Sequence, residues 1–211
     1  MGGISLKAQN ILPLTTLTAI QLLAVLLLNQ QSLDIGQLAS FQESGGVMIT
    51  IGALAGWLSY LLPADLKNAL VFLRWKHALP GHRFLQLAEK DARIDAEALR
   101  AKVANYESLI SDHKAQNSYW YREFYRPAAN QDEVASTHKS YLLYRDAAAV
   151  SALCVLIFIF AKLLLAKFMA GVGVGSVLVF VAAALGFVVA ASNLGRRLVT
   201  TVVAINTANK D

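Results

Sequence analysis

The sequence contains a single cysteine, Cys154, so a disulfide framework is excluded. Cys154 lies within an apolar run, where a small packing residue is its expected role. Charged residues are also scarce. They make up 16% of the 211 residues, whereas about 25% is usual in soluble domains. Because 56% of the chain is hydrophobic and the mean hydropathy is positive, the composition is typical of a membrane protein.

Four stretches contain no charged residue, and each can cross a membrane as a helix, the third only when it is extended. A hydrocarbon core about 30 Å thick needs about 20 helical residues. The third stretch reaches that length only by extending past Lys162 to about Phe168. No period-2 alternation indicates strands, and backbone groups in lipid must be hydrogen-bonded within the chain, so helices are predicted. The stretches are residues 11–29, 46–62, 147–161 and 172–191.

These stretches predict an all-α membrane protein with four transmembrane helices, arranged as two hairpins. A helical cytoplasmic domain is inserted between helices 2 and 3. The predicted parts are an N-terminal transmembrane hairpin, the cytoplasmic domain, a C-terminal transmembrane hairpin and a cytoplasmic tail. They comprise residues 1–62, 63–146, 147–194 and 195–211, respectively.

The distribution of lysine and arginine predicts the orientation in the membrane. Of the 19 such residues, only Lys162 and Lys167 fall at the outer end of a span, and the loop at 30–45 has none. The positive-inside rule therefore places both termini and the central segment in the cytoplasm, at a bacterial inner membrane. The central segment holds thirteen basic and eleven acidic residues. The net charge of +5 thus reflects topology, and direct nucleic-acid binding is not predicted.

Apolar periodicity predicts that the cytoplasmic segment is helical throughout. The second span continues past a kink at Pro63. Leu79, Pro80 and Gly81 form a turn, and Asp95 caps a helix that extends to about residue 110.

Two further helices are predicted in this segment. In the first, at 114–126, Trp120 pairs with Phe124 and Tyr121 with Tyr125 at four-residue spacing, and the next residue, a proline, ends the helix. The second runs unbroken from 131 to 168, through the third span, and would connect the cytoplasmic segment directly to the membrane part.

Residues 74–84, RWKHALPGHRF, concentrate positive charge and histidine around a Pro-Gly turn. The simplest interpretation is a bend at the membrane surface, where aromatic and cationic side chains are enriched. The alternative is a site for a small anionic ligand such as a nucleotide phosphate, extended by two arginines of the aromatic helix. A metal site is not expected, because the histidine spacing matches no usual ligand pattern and no cysteine or nearby carboxylate completes it. The predicted ligand-binding residues are Arg74, Lys76, His77, His82, Arg83, Arg122 and Arg126.

Polar and small residues within the spans predict helix packing. Gln21 lies near the bilayer centre, on one face with two threonines. An amide there needs a partner, so we expect it either to hydrogen-bond a neighbouring helix or to line a polar pathway. A G-x-x-x-G motif in the second span permits close helix approach. A lysine near the end of the third span is expected to extend to the outer headgroups. The residues concerned are Thr15, Thr18, Gln21, Gly52, Gly56 and Lys162.

Motifs for catalysis are not evident. The sequence has no phosphate-binding loop, nucleophile elbow or metalloprotease motif. GVGVG at 171–175 follows no predicted strand and predicts a hairpin between two spans. We therefore predict no catalytic residue, no metal and no cofactor, and we expect that the chain is not an enzyme.

Two hairpins around a compact cytoplasmic domain form a layout that is similar to small bacterial membrane proteins acting as sensors or effectors in anti-phage systems. The resemblance is one of architecture and transfers no residue roles. The predicted function is an oligomeric inner-membrane protein, with a tetramer favoured. Its cytoplasmic domain would bind a partner protein or a small anionic ligand and couple that event to the membrane helices, as a signalling component in antiviral defence. The alternatives are a membrane anchor or scaffold for a separate catalytic protein, and a membrane-surface enzyme using His77 and His82.

Overall fold

The computed structural model describes residues 5–29, 45–167 and 173–208, and within these ranges every regular element is helical. The α-helices in chain order are α1 Leu6–Gln9, α2 Ile11–Leu28, α3 Gly45–Leu61, α4 Ala64–Phe72, α5 Phe84–Ala88, α6 Ala96–Lys102, α7 Tyr106–Leu109, α8 His113–Tyr119, α9 Arg126–Ala128, α10 Asp132–Leu164 and α11 Val174–Ala208. A 3₁₀ turn, Pro80–Arg83, precedes α5, and a π-helical turn, Trp120–Tyr125, joins α8 to α9.

Three helical segments of the described chain are long and apolar enough to cross a membrane. They are Leu6–Leu28, which comprises α1 and α2, and the two long helices α10 and α11. The second predicted span qualifies only when α3 and α4 are taken together, and this pair bends by 88°. The kink predicted at Pro63 is therefore confirmed. The chain has three helices that could span a membrane, or four if the bent pair forms one span.

The chain divides into two compact units. Unit 1 comprises Met1–Lys67 and Leu142–Val189, and unit 2 comprises Asn68–Tyr141 and Ala190–Asp211. Unit 2 therefore differs from the predicted cytoplasmic domain, 63–146, because it also contains the C-terminal residues. Both long helices contribute residues to each unit.

The residues predicted as a cytoplasmic tail, 195–211, are helical as far as Ala208 and belong to α11. After Arg196 and Arg197, apolar residues recur at helical spacing and their side chains are buried. They join the core of unit 2, which is built around aromatic and aliphatic side chains from α5 to α9. The arginine pair thus marks the end of the uncharged run but not the end of the helix. The buried residues of this stretch are Leu198, Val199, Val202 and Val203.

Helix α10 begins at Asp132, one residue after the predicted start, and ends at Leu164. The prediction carried it to Phe168, which lies outside the described residues. The predicted acidic loop at 30–44 and the first two residues of the GVGVG hairpin also lie outside them.

The helix predicted after Asp95 is capped as expected but is broken. The Asp95 side chain accepts hydrogen bonds from the backbone N–H groups of Glu97 and Ala98. Helix α6 then ends at Lys102, and Asn105 adopts a left-handed conformation with φ of 56°. Asparagine tolerates this region better than most residues. The break allows a new short helix, α7, whose Tyr106 and Leu109 side chains join the core of unit 2.

The aromatic segment forms a π-helical turn, so its ring pairs differ in part from the prediction. Tyr121 stacks with Tyr125 at the predicted four-residue spacing, with ring centroids 5.5 Å apart. Trp120 contacts Tyr125 at 5.4 Å, and Tyr119 contacts Phe124 at 6.0 Å, both at five-residue spacing. A π turn hydrogen-bonds each residue to the fifth along and therefore aligns these pairs. Because Pro127 has no amide hydrogen, the regular α-helical bond at that position cannot form.

Candidate ligand-binding site

The segment that carries the predicted site leaves α4 through a turn with two left-handed residues. The Arg74 N–H donates to the Ala69 carbonyl at 3.1 Å, while Leu73 has φ of 50°. This six-to-one hydrogen bond around a left-handed residue is a Schellman-type helix end, where glycine is more usual. His77 is also left-handed, with φ of 51°. Each such residue costs about 1–2 kcal/mol, so the surrounding contacts hold this segment in an uncommon backbone shape.

Three histidine rings meet where this segment turns back. The His77 ring centroid lies 5.1 Å from that of His82 and 5.4 Å from that of His113. Nδ1 of His82 is 3.2 Å from the Leu79 carbonyl oxygen, and Nδ1 of His113 is 3.0 Å from the carbonyl oxygen of His82. A ring nitrogen beside a carbonyl oxygen must donate its proton. In His82 and His113, Nδ1 therefore carries a hydrogen.

Arg83 lies beside these rings, and two further arginines, Arg74 and Arg196, are close enough to affect its charge. The Arg83 guanidinium donates to the His77 carbonyl at 3.3 Å. Burial lowers the pKa of Arg83, and the positive charges of Arg74 and Arg196 lower it further. Burial also lowers the pKa of His82, and this effect outweighs the hydrogen bond to Leu79. We call Arg74, His77, His82, Arg83, His113 and Arg196 the cationic cluster.

The cationic cluster has no acidic partner in the described part of the chain. The salt bridges of unit 2 join other residues: Arg93 to Asp91, Arg100 to Glu89, and Arg122 to Glu123. None of the described carboxylates lies within salt-bridge distance of a cluster arginine. Positive charge that is not neutralised by the protein attracts an anion from solution.

A pocket of about 160 Å³ opens beside the cluster and is lined mainly by aromatic and aliphatic side chains. It lies between the Pro-Gly turn, the aromatic π turn and the two long helices. Its lining is formed by Leu79, Pro80, Gly81, Asn117, Trp120, Tyr121, Tyr125, His138, Tyr141, Gly195, Leu198 and Val199. The Tyr125 hydroxyl and His138 Nδ1 share a hydrogen bond of 2.7 Å in this wall.

Three segments each place a pocket residue next to a member of the cationic cluster. Gly81 precedes His82, and Gly195 precedes Arg196. On α8, Asn117 follows His113 by one turn, about 6 Å along the helix axis. The pocket and the cationic cluster are therefore neighbouring features of unit 2.

Glycine is required where the Pro-Gly turn meets α8. A Cβ atom on Gly81 would lie 2.4 Å from Asn117 Oδ1 and 3.1 Å from Trp120 Cε3. The absence of a side chain at Gly81 thus allows the turn to close against the aromatic segment.

Five of the seven predicted ligand-binding residues lie on one segment, 74–83, and all of these except Lys76 belong to the cationic cluster. Lys76 is exposed there. The other two lie on the aromatic segment. The Arg126 guanidinium carbon is 5.9 Å from the ring centroid of Tyr121, a pocket residue. Arg122 is exposed and lies beside Glu123, at 4.0 Å.

Sequence reasoning missed two members of the cationic cluster. His113 is 31 residues away from His82, and no local pattern indicates that the two approach each other. Arg196 was assigned to a tail. The apolar spacing after it, at 198, 199, 202 and 203, was a readable sign that the helix continued into a core.

In unit 1, the predicted polar face of the first span is buried. The side chains of Thr15, Thr18 and Gln21 are almost fully enclosed. Gln21 accepts a hydrogen bond of 2.8 Å from the Ser151 hydroxyl of α10, which is a bond to a neighbouring helix. Its amide nitrogen donates to the Leu17 carbonyl within its own helix.

The two predicted packing glycines differ in their surroundings. A Cβ atom on Gly52 would lie 2.9 Å from Thr15 Oγ1, so α2 and α3 approach closely there. A Cβ atom on Gly56 would meet no described atom within 4 Å. Lys162 lies in the last turn of α10 and is half-buried.

A buried ion pair in unit 1 was not predicted. Lys67 Nζ lies 3.0 Å from Asp146 Oδ1, and the two side chains are 3% and 7% exposed. The Arg145 guanidinium also contacts this carboxylate, at 3.1 Å, and Ser59 Oγ lies 3.4 Å from Lys67 Nζ. The two partners are 79 residues apart, so no local pattern in the sequence connects them.

Within the described ranges, no group of three or more histidine, cysteine, aspartate or glutamate side chains could hold a metal ion.

No protein-family model matches the chain. Comparison with curated proteins and with solved structures also gives no match.

Proposed function

We propose that this chain is a multi-pass inner-membrane protein that binds a small anionic ligand at the cationic cluster of unit 2. The observation that carries the proposal is the convergence of three arginines and three histidines without an acidic partner among the described residues. Arg83 is the central member. It is partly buried, fixed by the His77 carbonyl and close to two other arginines, so an anion there would relieve their mutual repulsion.

The two long helices support a coupling role. Helix α10 contributes residues to both units, and so does α11, which carries Arg196. An anion that contacts Arg196 would act directly on a helix that also belongs to the membrane-spanning part of the chain. This is the basis for proposing a sensor or effector whose cytoplasmic ligand influences its spans. The expected tetramer and the role in antiviral defence stay predictions.

Calorimetric titration with inorganic triphosphate tests this function. It uses the full chain purified in mild detergent. Arg83→Gln should weaken binding at least about tenfold, because hydrogen bonds to charged groups are worth about 1.5–3 kcal/mol. Arg83→Lys should retain part of the affinity, since it keeps the charge but loses the fork geometry of the guanidinium.

Arg100→Gln is the matched control. Arg100 belongs to the same unit but pairs with Glu89 outside the cluster, so this variant should bind as the wild type does. Equal loss in the Arg83 and Arg100 variants would show that net charge, rather than the cluster, attracts the anion. Double charge reversal of Arg122 and Arg126 tests the outer part of the predicted site in the same assay.

A further inference from the structure

The pocket beside the cationic cluster has the dimensions and lining of a site for one planar ring. An apolar cavity of about 150 Å³ is enough to accept a benzene ring, and this pocket measures about 160 Å³. Small-molecule sites that enclose a whole ligand are larger, at about 300–1,000 Å³. The pocket would therefore hold only the ring portion of a ligand, with the remainder outside.

The walls of the pocket favour a flat aromatic ring over an aliphatic chain. Trp120, Tyr121, Tyr125 and Tyr141 all contribute to the lining. The Tyr121 and Tyr125 rings are stacked on each other with an interplanar angle of 21°. Tyrosine and tryptophan faces bind nucleobases by stacking, and every base has a face that can stack.

One polar side chain of the lining is available to read the edge of a ring. The Asn117 amide lies against the Pro-Gly turn and makes no hydrogen bond with the described residues. A side-chain amide offers both a donor and an acceptor, which suits the mixed edge of a nucleobase. An aromatic hydrocarbon ring would leave the donor and the acceptor of this amide without a hydrogen bond.

The cationic cluster next to the pocket indicates which chemical group the ring of the ligand carries. The backbone runs directly from a wall of the pocket to a member of the cationic cluster at Gly81–His82 and at Gly195–Arg196. A ligand that fills the pocket with a ring and extends over this rim must carry negative charge where it leaves the pocket. We propose that the pocket holds the base of a nucleotide whose phosphates contact the cationic cluster. This inference rests on the proposed anion-binding function and adds the ligand class.

The experiment compares two probes that carry the same phosphate chain, ATP and inorganic triphosphate, on the full chain in detergent. ATP should bind the wild type at least about fivefold more tightly, because stacking of one base is worth that much or more. Tyr121→Ala should remove this advantage, while inorganic triphosphate, which carries no base, still binds. Tyr121 is 46% exposed, so its truncation should be tolerated, and the retained triphosphate affinity shows that the variant is folded.

Trp75→Ala is the matched control for the aromatic ring. Trp75 lies on the same segment but is 86% exposed and does not line the pocket. Its removal should leave the affinities for both probes unchanged.

Each outcome decides between the two proposals. Equal affinity for ATP and triphosphate, or an ATP advantage that survives Tyr121→Ala or disappears in Trp75→Ala, overturns the nucleotide inference and leaves the anion-binding function standing. Failure of triphosphate to bind at all overturns the proposed function, and the inference with it.

Discussion

At the scale of single residues, His82 is the group most sensitive to the proposed ligand. Its imidazole is partly buried, and burial lowers its pKa below the usual 6.5. The side chains nearest to it are those of His77, Arg83 and His113, all of which oppose a further positive charge. An anion in contact with the cluster supplies the missing negative charge and favours the protonated ring.

This arrangement predicts two opposite responses to pH. Without ligand, the unfolded chain binds a proton at His82 more readily than the folded chain, so stability falls as the pH drops below 6.5. With ligand, protonation strengthens the contact, so triphosphate affinity should rise between pH 8 and pH 6. Titrations of the wild type and His82→Gln in the same buffers check this, because changes in the charge of the probe itself affect both equally. Identical pH profiles for the two proteins would contradict the role of His82.

At the scale of secondary-structure elements, two of the three glycines in α11 show how closely this helix packs. A Cβ atom on Gly195 would lie 2.7 Å from Phe72 Cζ and 3.2 Å from Tyr141 Cε2. These rings are stacked on each other, and the Tyr141 hydroxyl is held by Asn68 at 2.9 Å. Neither ring can move without loss of packing. At Gly186, an added Cβ atom would meet no described atom within 4 Å.

Gly195→Ala should therefore lower the free energy of unfolding by about 1–3 kcal/mol, the usual cost of overpacking a core. Gly186→Ala, in the same helix, should leave stability unchanged or raise it by up to about 1 kcal/mol, because alanine is the better helix former. Thermal unfolding of the two variants in the same detergent gives the comparison. Equal stabilisation of both would mean that α11 does not pack closely at Gly195.

The sequence predicts the helices better than it predicts their ends. Uncharged runs and the Pro63 and Asp95 signals depend on neighbouring residues, and the structure has the corresponding helices, bend and cap. The end of α11 depends instead on a core built by segments that are distant in the sequence. The arginine pair at 196–197 marks the end of the uncharged run but not the end of the helix. The π turn likewise depends both on Pro127 and on the packing of aromatic rings. The periodicity of the sequence alone does not predict this combination.

The candidate site likewise combines residues that the local sequence predicts with residues that only the tertiary fold brings together. The cations of 74–83 are adjacent in the sequence and were predicted as a group. His113 and Arg196 join them only through the tertiary fold, and so do the walls of the pocket. A site assembled from three separated segments is visible in the sequence only through the one segment that carries several of its residues.

At the scale of the whole molecule, the buried ion pair of unit 1 tests how the apolar part of the chain tolerates charge. Asp146 balances both Lys67 and Arg145. Asp146→Ala should therefore lower the free energy of unfolding by about 3–5 kcal/mol, since it leaves the buried Lys67 ammonium without its carboxylate. Lys67→Met should cost less, because Asp146 keeps Arg145. The double variant Lys67→Met/Asp146→Ala should therefore lose less stability than the two single variants added together.

Chemical unfolding of the three variants in one detergent measures these differences. Additive losses in the double variant would contradict a direct pairing of Lys67 with Asp146.

The central claim is that unit 2 binds an anion at the cationic cluster, and the calorimetric titration of the full chain with inorganic triphosphate tests it most directly. The account predicts saturable binding that weakens at least about tenfold in Arg83→Gln and is unchanged in Arg100→Gln. Binding that is absent in the wild type, or equally strong in all three proteins, would contradict it.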